Sequence, residues 1–218
     1  VGLGRIEIVT LNQASPQSSQ YLISSGNSVR SVLFAENGSA IFVSLTNNQL
    51  ISYDYSNSRY FSWINFSNGL SDISLSPDGN TLGVVHGSNY TLVNTSSFQN
   101  RTTIDTGVES LSQIEFSPDG NHIAIIGANS SGNEEKQMLV SNIVSGSNIF
   151  SWNISGSDTR TIEEMSWSPA GSALALGMAA GGGSNSSLVQ VMYPLNASIG
   201  DSFAKWGASA STSGMAWS

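Results

Sequence analysis

The chain has 218 residues, of which 39% are hydrophobic and only 10% are charged, and its formal net charge is -8 at pH 7. The hydrophobic fraction is enough for a large buried core, whereas seven lysines and arginines are too few for the basic surface that nucleic-acid binding requires. The lack of cysteine excludes disulfides, cysteine-ligated metals and thiol nucleophiles, and no apolar run approaches the roughly 20 residues of a membrane-spanning helix.

The first 28 residues contain two short segments with strand character, GRIEIVTL and QYLIS. Both are rich in β-branched or aromatic residues, which favour strands. Compared with the complete units that follow, they match third and fourth strands. We therefore interpret residues 1–28 as the outer strands of a unit whose first two strands are missing.

A Ser-Pro-Asp-Gly corner between two apolar runs occurs at residues 76–79 and again at 117–120. Proline presets φ for the first corner position, aspartate suits the second, and glycine accepts a positive φ. This chemistry predicts a tight β-hairpin with a glycine bulge, and so a strand on each side of the corner. Looser copies are FAENGSAIFVSL with Ala35 in the serine position, WSPAGSALALG with Ser168, and MAWS ending at Ser218.

Each corner belongs to a unit of four predicted strands. In one unit SQIEF alternates in polarity, and HIAII, KQMLVSNIV and NIFSWNIS follow as the second, third and fourth strands. The serine positions are spaced by 41, 41, 51 and 50 residues. Polar inserts at 129–136 and 179–187 account for the two longer spacings and are predicted to be surface loops. Such periods with several short strands are typical of β-propeller blades, which stack face to face.

The strand, SPDG corner and second strand resemble the WD40-like propeller repeats of the TolB type, over about residues 29–218. The resemblance implies an all-β fold, a β-propeller of four-stranded antiparallel blades with about five blades represented. It implies little about function, because the same repeat occurs in propeller domains of prolyl-oligopeptidase-like peptidases and in many secreted surface proteins. The Trp-Asp and Gly-His signatures of intracellular WD40 proteins are absent from the sequence.

We expect one propeller domain, with outer strands of a partial blade at 1–28 and four blades plus the first strand of the next at 29–218. Two arrangements fit this prediction. The two ends could close a five-bladed ring in which one blade lacks a strand, or the chain could be an excerpt from a longer propeller. We favour the excerpt. A mature or excised piece is also what the missing initial methionine and signal peptide indicate.

The two histidines are weak candidates for chemistry. His86 and His122 are predicted at the end and at the start of second strands in different blades. Metal binding needs a cluster of histidine and acidic ligands, and we expect neither histidine to have a close acidic partner. Asp78 and Asp119 are repeated acids, but the turn geometry explains them. We therefore predict no metal site.

Two acidic pairs could take part in acid–base chemistry only if several loops converged on them. Glu134-Glu135 lies in a polar insert, where a solvated loop charge is the simplest interpretation. Glu163-Glu164 opens an innermost strand near the mouth of the central channel, where a ligand contact and a solvated charge both remain open. No Gly-x-Ser-x-Gly elbow or complete dinucleotide-binding glycine motif is present, so we predict no catalytic residues and no cofactor.

Tryptophans recur on the predicted fourth strands, at Trp63, Trp152 and Trp206. A fourth strand is the outer edge of its blade, where unpaired backbone can recruit a partner. Exposed rings there would indicate an interaction surface for lateral assembly, whereas rings buried between blades would indicate packing alone. The sequence leaves both interpretations open.

Nine Asn-x-Ser/Thr triplets without proline are spread along the chain, where chance alone gives roughly five. Their predicted positions at corners, inserts and outer strands face solvent and could carry a glycan. Low lysine content, abundant serine and asparagine, and dense sequons resemble the composition of secreted archaeal surface glycoproteins. A serine- and asparagine-rich propeller that is never glycosylated is the alternative. The nine asparagines are Asn37, Asn65, Asn89, Asn94, Asn100, Asn129, Asn153, Asn185 and Asn196.

These observations predict a non-enzymatic, N-glycosylated module located outside the cell or on its surface, used for protein interaction, adhesion or surface and filament assembly. We expect protein partners or further copies to bind the propeller faces or outer strands, with no nucleic acid and no membrane span. One alternative is a propeller that gates a hydrolase or peptidase whose catalytic domain lies outside this chain. The other is a TolB-like envelope-complex or sensor ectodomain.

Overall fold

The computed structural model describes residues 3–10, 17–36, 38–55, 57–98, 101–128, 135–154, 158–180, 187–204 and 217. These ranges hold 18 β-strands and one short 3₁₀ turn at Pro194–Asn196, and they contain no α-helix. The prediction of an all-β chain is confirmed.

The strands form one two-stranded and four four-stranded antiparallel sheets, each ordered as in the sequence. The N-terminal hairpin consists of β1 (Leu3–Thr10) and β2 (Gln17–Ser25). Blade 1 consists of β3 (Val29–Phe34), β4 (Ile41–Leu45), β5 (Gln49–Asp54) and β6 (Arg59–Asn65). Blade 2 consists of β7 (Leu70–Leu75), β8 (Thr81–His86), β9 (Asn89–Asn94) and β10 (Arg101–Asp105). Blade 3 consists of β11 (Ser110–Phe116), β12 (His122–Ala128), β13 (Glu135–Asn142) and β14 (Asn148–Asn153). Blade 4 consists of β15 (Thr161–Trp167), β16 (Leu174–Ala179), β17 (Leu188–Tyr193) and β18 (Ser198–Ala204).

The hydrophobic core is divided into four clusters, and each cluster lies between two consecutive sheets. Ile6 of the hairpin packs with Val43 of blade 1, and Leu50 of blade 1 packs with Leu82 of blade 2. The same pattern joins blade 2 to blade 3 and blade 3 to blade 4. Because a sheet of four strands buries its faces only against its neighbours, stacking of the blades is what forms the core.

The second strand of each blade has both faces buried. All residues of β4 and β16 are buried, and in β8 and β12 every residue after the first is buried. This explains why these strands read as continuous apolar runs in the sequence, whereas the first strands alternate. The outermost strands β6 and β14 are mainly exposed.

The four predicted corners share one backbone geometry. In the corner of blade 2, the Gly79 amide donates to the Ser76 carbonyl at 2.9 Å and the Ser76 amide donates to the Thr81 carbonyl at 2.8 Å. Gly79 has a φ of +69°, and the corresponding glycines of the other blades have φ between +63° and +71°. A positive φ strains every residue with a β-carbon, so the glycine is required by the turn.

The corners of consecutive blades also touch one another. A β-carbon added to Gly120 would lie 3.5 Å from Cδ of Pro77 in the preceding blade, and one added to Gly171 would lie 3.5 Å from Cδ of Pro118. In blade 1, Glu36 takes the place of the proline and lies against Gly79. The proline and the glycine of SPDG therefore serve the junction between blades as well as the turn.

Side-chain size is matched across each junction. Near the start of the second strand, blades 1, 2 and 3 carry Phe42, Gly83 and Ala124. The inner strands of the blades that follow end in Leu75, Phe116 and Trp167, in the same order. At the three junctions, Phe42 thus meets Leu75, Gly83 meets Phe116, and Ala124 meets Trp167. A large residue meets a smaller one in every case, which keeps the junctions filled.

The inner strand of blade 1 differs from the others. Val32 and Phe34 are 38% and 54% exposed, whereas the corresponding Ile114 and Phe116 of blade 3 are 4% and 6% exposed. The N-terminal hairpin packs on β4 and β5 and leaves these two side chains in contact with solvent. The assignment of residues 1–28 to the outer strands of a partial blade stays a prediction. The same is true of the division of residues 29–218 into four blades and the first strand of the next.

Replacing Gly83 by alanine should lower the free energy of unfolding by about 1–3 kcal/mol, the usual range for overpacking. The added β-carbon would lie 2.8 Å from Cδ1 of Ile114 and 3.1 Å from Cε2 of Phe116, so the junction between blades 2 and 3 must open. Urea denaturation followed by tryptophan fluorescence measures the change. Gly69→Ala is the matched control, because nothing lies within 4 Å of its added β-carbon. Equal midpoints for the two variants would contradict the prediction.

Candidate functional site

The corner aspartates are turn residues. Asp78 accepts hydrogen bonds from the Ser76 hydroxyl at 2.6 Å and from the Asn80 amide at 3.0 Å. The Ser76 hydroxyl bond and the Asn80 bonds hold the pKa of Asp78 below its ordinary value. Asp119 has the same partners in blade 3, the Ser117 hydroxyl and Asn121. The turn interpretation of both acids is confirmed by these bonds.

The innermost strands are joined from blade to blade by side chains that bond to the neighbouring backbone. Asp72 on β7 accepts from the Ser31 hydroxyl of blade 1 at 3.1 Å and from the Ile114 amide of blade 3 at 3.2 Å. The Ser74 hydroxyl accepts from the Phe116 amide at 3.2 Å. One carboxylate thus connects three consecutive blades.

Glu115 makes the equivalent connection between blades 3 and 4. Its Oε1 accepts from the Trp167 amide, and its backbone carbonyl accepts from the Trp167 indole, both at 3.4 Å. The Trp217 indole donates to the Ser166 carbonyl at 3.1 Å, which is the same contact one blade further along. The inner ring of strands is therefore held by repeated side-chain to backbone hydrogen bonds.

Glu115 is the most perturbed acid in the described part of the chain. Burial is the main reason why the pKa of Glu115 is raised to about 7. The hydrogen bond from the Trp167 amide lowers this pKa in part, and the charges of Glu164 and Asp72 raise it. Its Oε2 is buried and makes no hydrogen bond to a described residue. Burial also raises the pKa of Asp72, although its hydrogen bonds lower it in part. A carboxyl with this pKa can gain or lose a proton near neutral pH, so we expect the stability of the inner strands to depend on pH.

The two predicted acidic pairs are placed differently. Glu163 and Glu164 lie within the innermost strand β15, where the Glu163 carbonyl accepts from the Gln113 side chain of blade 3 at 2.5 Å. This pair belongs to the connection between blades. Glu134 lies outside the described residues, and Glu135 is the first residue of β13. Within the described ranges, no group of three or more histidines and acids is placed to hold a metal ion.

The histidines occupy the predicted ends of second strands. His86 is buried, with Nε2 at 2.7 Å from the Thr91 hydroxyl and its ring centroid 4.6 Å from that of Phe66. Burial lowers the pKa of His86. The expectation that neither histidine has an acidic partner is wrong for His122, because its Nδ1 lies 3.8 Å from Oδ1 of Asp119. The corner turns the chain back at this point, which brings residues three apart into contact.

The tryptophans on the outer strands fall into two classes. Trp63 on β6 is 60% exposed, and its neighbours Tyr60 and Phe61 are 46% and 51% exposed. Trp152 on β14 is half-buried against the cluster between blades 3 and 4. Trp206 lies outside the described residues. The sequence did not single out Tyr60 and Phe61, although RYFSWIN places three aromatic residues on one edge strand.

The sequon asparagines also differ in exposure. Asn65 and Asn153 are exposed at the last positions of β6 and β14, and Asn196 is exposed in the 3₁₀ turn. Asn89 and Asn94 are half-buried in blade 2. Asn37, Asn100, Asn129 and Asn185 lie outside the described residues.

Across the described residues, no helix is long and apolar enough to cross a membrane.

Two solved structures share the architecture of this chain. The first is Kuenenia stuttgartiensis hydrazine synthase, with a TM-score of 0.68 and 16% identity over 80% of this chain and 53% of that chain. The second is a structure of the mitotic checkpoint complex, with a TM-score of 0.72 and 14% identity over 93% of this chain and 61% of that chain. This chain thus spans between half and two thirds of the length of either structure. No family model and no curated protein matches it.

Both structural likenesses identify the fold as a β-propeller of the WD40-like kind, and the predicted fold class is confirmed. Sequence identities this low show the fold alone, because one fold serves many functions.

Replacing Glu115 by glutamine should reduce the pH dependence of stability. The folded pKa, about 7, lies above the ordinary value of 4.5, so the folded state keeps a proton that the unfolded chain has already released. The contribution of the Glu115 carboxyl to the stability of the folded state is therefore complete below about pH 4.5, and it is lost as the pH rises through about 7. The expected loss in the free energy of unfolding is on the order of 2 kcal/mol. Each unit of pKa shift corresponds to about 1.4 kcal/mol, and partial exposure of the carboxyl to solvent reduces the total.

Urea denaturation at intervals between about pH 5 and 8 measures this difference. His86 acts with the opposite sign, because burial lowers its pKa, but it is present in both proteins and cancels in the comparison. Glu109→Gln, at an exposed position just before β11, is the matched control. Parallel stability curves for the Glu115→Gln variant and the unsubstituted protein would show that the Glu115 carboxyl has no such effect.

Proposed function

We propose that this chain is a non-enzymatic, N-glycosylated propeller module that acts outside the cell or on its surface, where it binds proteins or further copies of itself through an outer strand. The observation that carries the proposal is the set of three exposed aromatic side chains on the edge strand β6, at Tyr60, Phe61 and Trp63.

The outer edge of β6 has the properties of an interaction surface. The strand is the last of its sheet, so the side away from β5 has no neighbour within that sheet. Edge strands are usually protected by lysine, proline or other charges, and β6 carries only Arg59, which lies over the Phe61 ring at 5.4 Å. Tryptophan, tyrosine and arginine are the residues that contribute most to binding energy at protein interfaces. A partner that covers β6 would remove this apolar surface from water.

The sequons support the extracellular part of the proposal. Asn65 and Asn153 end the outer strands of blades 1 and 3, and both are exposed. The Asn65 carbonyl oxygen accepts from the Gln49 side chain at 3.1 Å, which leaves the amide nitrogen available for a glycan. The proposal includes membership of the TolB-type repeat family, which rests on the SPDG corners. It also includes a likeness to archaeal surface glycoproteins, which rests on composition.

The glycan prediction is that Asn65, Asn153 and Asn196 are occupied in protein from its natural source. All three are exposed and follow or end a strand, so a glycan meets no packed surface there. Mass spectrometry before and after chemical deglycosylation should show loss of glycan mass, and peptide mapping should place it on these residues. A protein that carries no glycan at any of the three would contradict the extracellular assignment.

The interaction prediction is that Trp63→Ala weakens association by about 30-fold or more, the usual effect of removing a central interface tryptophan. Sedimentation velocity over a concentration series measures association between copies, and cross-linking on the source cells measures association with other surface proteins. Val144→Ala is the control, because Val144 is apolar and 88% exposed but lies in the turn between β13 and β14. Unchanged association in the Trp63 variant by both measurements would overturn the role of β6.

A further inference from the structure

The junction between blades 1 and 2 contains a cleft that shares only Phe61 with the three β6 aromatic residues of the proposed function. It has a volume of about 720 Å³ and opens beside the corners of the two blades. Ligand pockets typically measure about 300–1,000 Å³. The corner of blade 1 is the degenerate copy of the repeat, with Ala35 and Glu36 where blade 2 has Ser76 and Pro77. The cleft therefore occurs where the repeat departs from its pattern.

Aromatic rings form the apolar part of the cleft. Phe42 and Phe98 are buried in its floor with ring centroids 6.1 Å apart. Phe61 lies at the rim and is half exposed. The guanidinium carbon of Arg59 lies 5.4 Å from the centroid of the Phe61 ring. A flat apolar surface at the rim is suited to stack against a ring-shaped ligand.

Oxygen-bearing side chains line the cleft, among them Ser52, Ser62 and Glu36. Ser52 is 4% exposed and belongs to the buried residues of blade 1. Hydroxyl and carboxylate oxygens in such a lining can exchange hydrogen bonds with a ligand that enters it.

The charge of the cleft restricts the class of ligand. Among the described residues that line the cleft, Glu36 is the only charged one, and the other polar residues are serines, a threonine and an asparagine. A carboxylate repels anions such as phosphates and accepts hydrogen bonds from hydroxyl groups. The cleft therefore suits a ligand that is not anionic, that carries hydroxyl groups and that has an apolar face for Phe61.

We propose that this cleft is a binding site for a neutral carbohydrate of about two or three sugar units. The sugar stacks its C–H face on Phe61, its hydroxyls donate to the Glu36 carboxylate, and the Ser52 and Ser62 hydroxyls complete its hydrogen bonds. A sugar offers both requirements at once, an apolar ring face and a dense set of hydroxyls.

The test is binding of neutral trisaccharides, namely maltotriose, cellotriose, mannotriose and chitotriose, to the whole protein by ligand-observed NMR and calorimetry. We expect at least one of them to bind with a dissociation constant below about 5 mM, a usual strength for a shallow site. Phe61→Ala should weaken binding by about tenfold or more and Glu36→Gln by about fivefold, because a stacking surface and a charged acceptor are lost.

The controls separate this site from the rest of β6. Trp63→Ala, which changes the same strand outside the cleft, should leave sugar binding unchanged. Trigalacturonate, a charged trisaccharide, should bind more weakly than the neutral ones. If the sugar comes from the glycans of this chain, binding will increase after deglycosylation, and if it comes from elsewhere, binding will be the same before and after. Absence of binding by all four neutral trisaccharides, equal binding by the Phe61 and Glu36 variants, or selective binding of a peptide would overturn the proposal.

Discussion

A four-stranded blade has two apolar faces and can bury neither of them alone, so every face depends on the next sheet in the chain. In this protein the second strands are the ones that the neighbouring sheets bury most completely, since β4 and β16 are buried along their whole length. The first strands reinforce this burial with carboxylates and hydroxyls that accept hydrogen bonds from backbone amides of the following blade. Stability is therefore located at the junctions between blades, and each junction combines an apolar cluster with a polar connection at its inner end.

The features that could be predicted from the sequence are those set by neighbouring residues. The corners were predictable because Pro, Asp and Gly each fit one backbone position of the turn, and the observed φ of Gly79 and Gly120 agrees. The second strands were predictable because burial on both faces leaves a continuous apolar run. The partnership of His122 with Asp119 was missed, although their spacing across a corner could have indicated it.

Features that arise from contacts between blades could not be predicted in the same way. Trp63 and Trp152 both follow a Phe-Ser pair on an outer strand, but Trp63 pairs with Ile51 on the face toward the hairpin. Trp152 pairs with Met138 on the face toward blade 4 and is half-buried there. Asp72 and Glu115 are far apart in the sequence and become neighbours through stacking. The sequence did hold a sign of these contacts, because polar residues alternate with apolar ones along the inner strands. A polar residue on a buried strand needs a hydrogen-bond partner, which here comes from the next blade.

The matched side-chain sizes at the junctions have a consequence for the order of the blades. Phe42 faces a junction completed by Leu75, whereas the small Gly83 and Ala124 receive the larger Phe116 and Trp167. Placing blade 3 directly after blade 1 would set Phe116 against Phe42, and placing blade 2 after itself would set Leu75 against Gly83 and leave a void. Repeats that share a backbone are thus not freely interchangeable, because the large and small residues of adjoining blades are matched to one another.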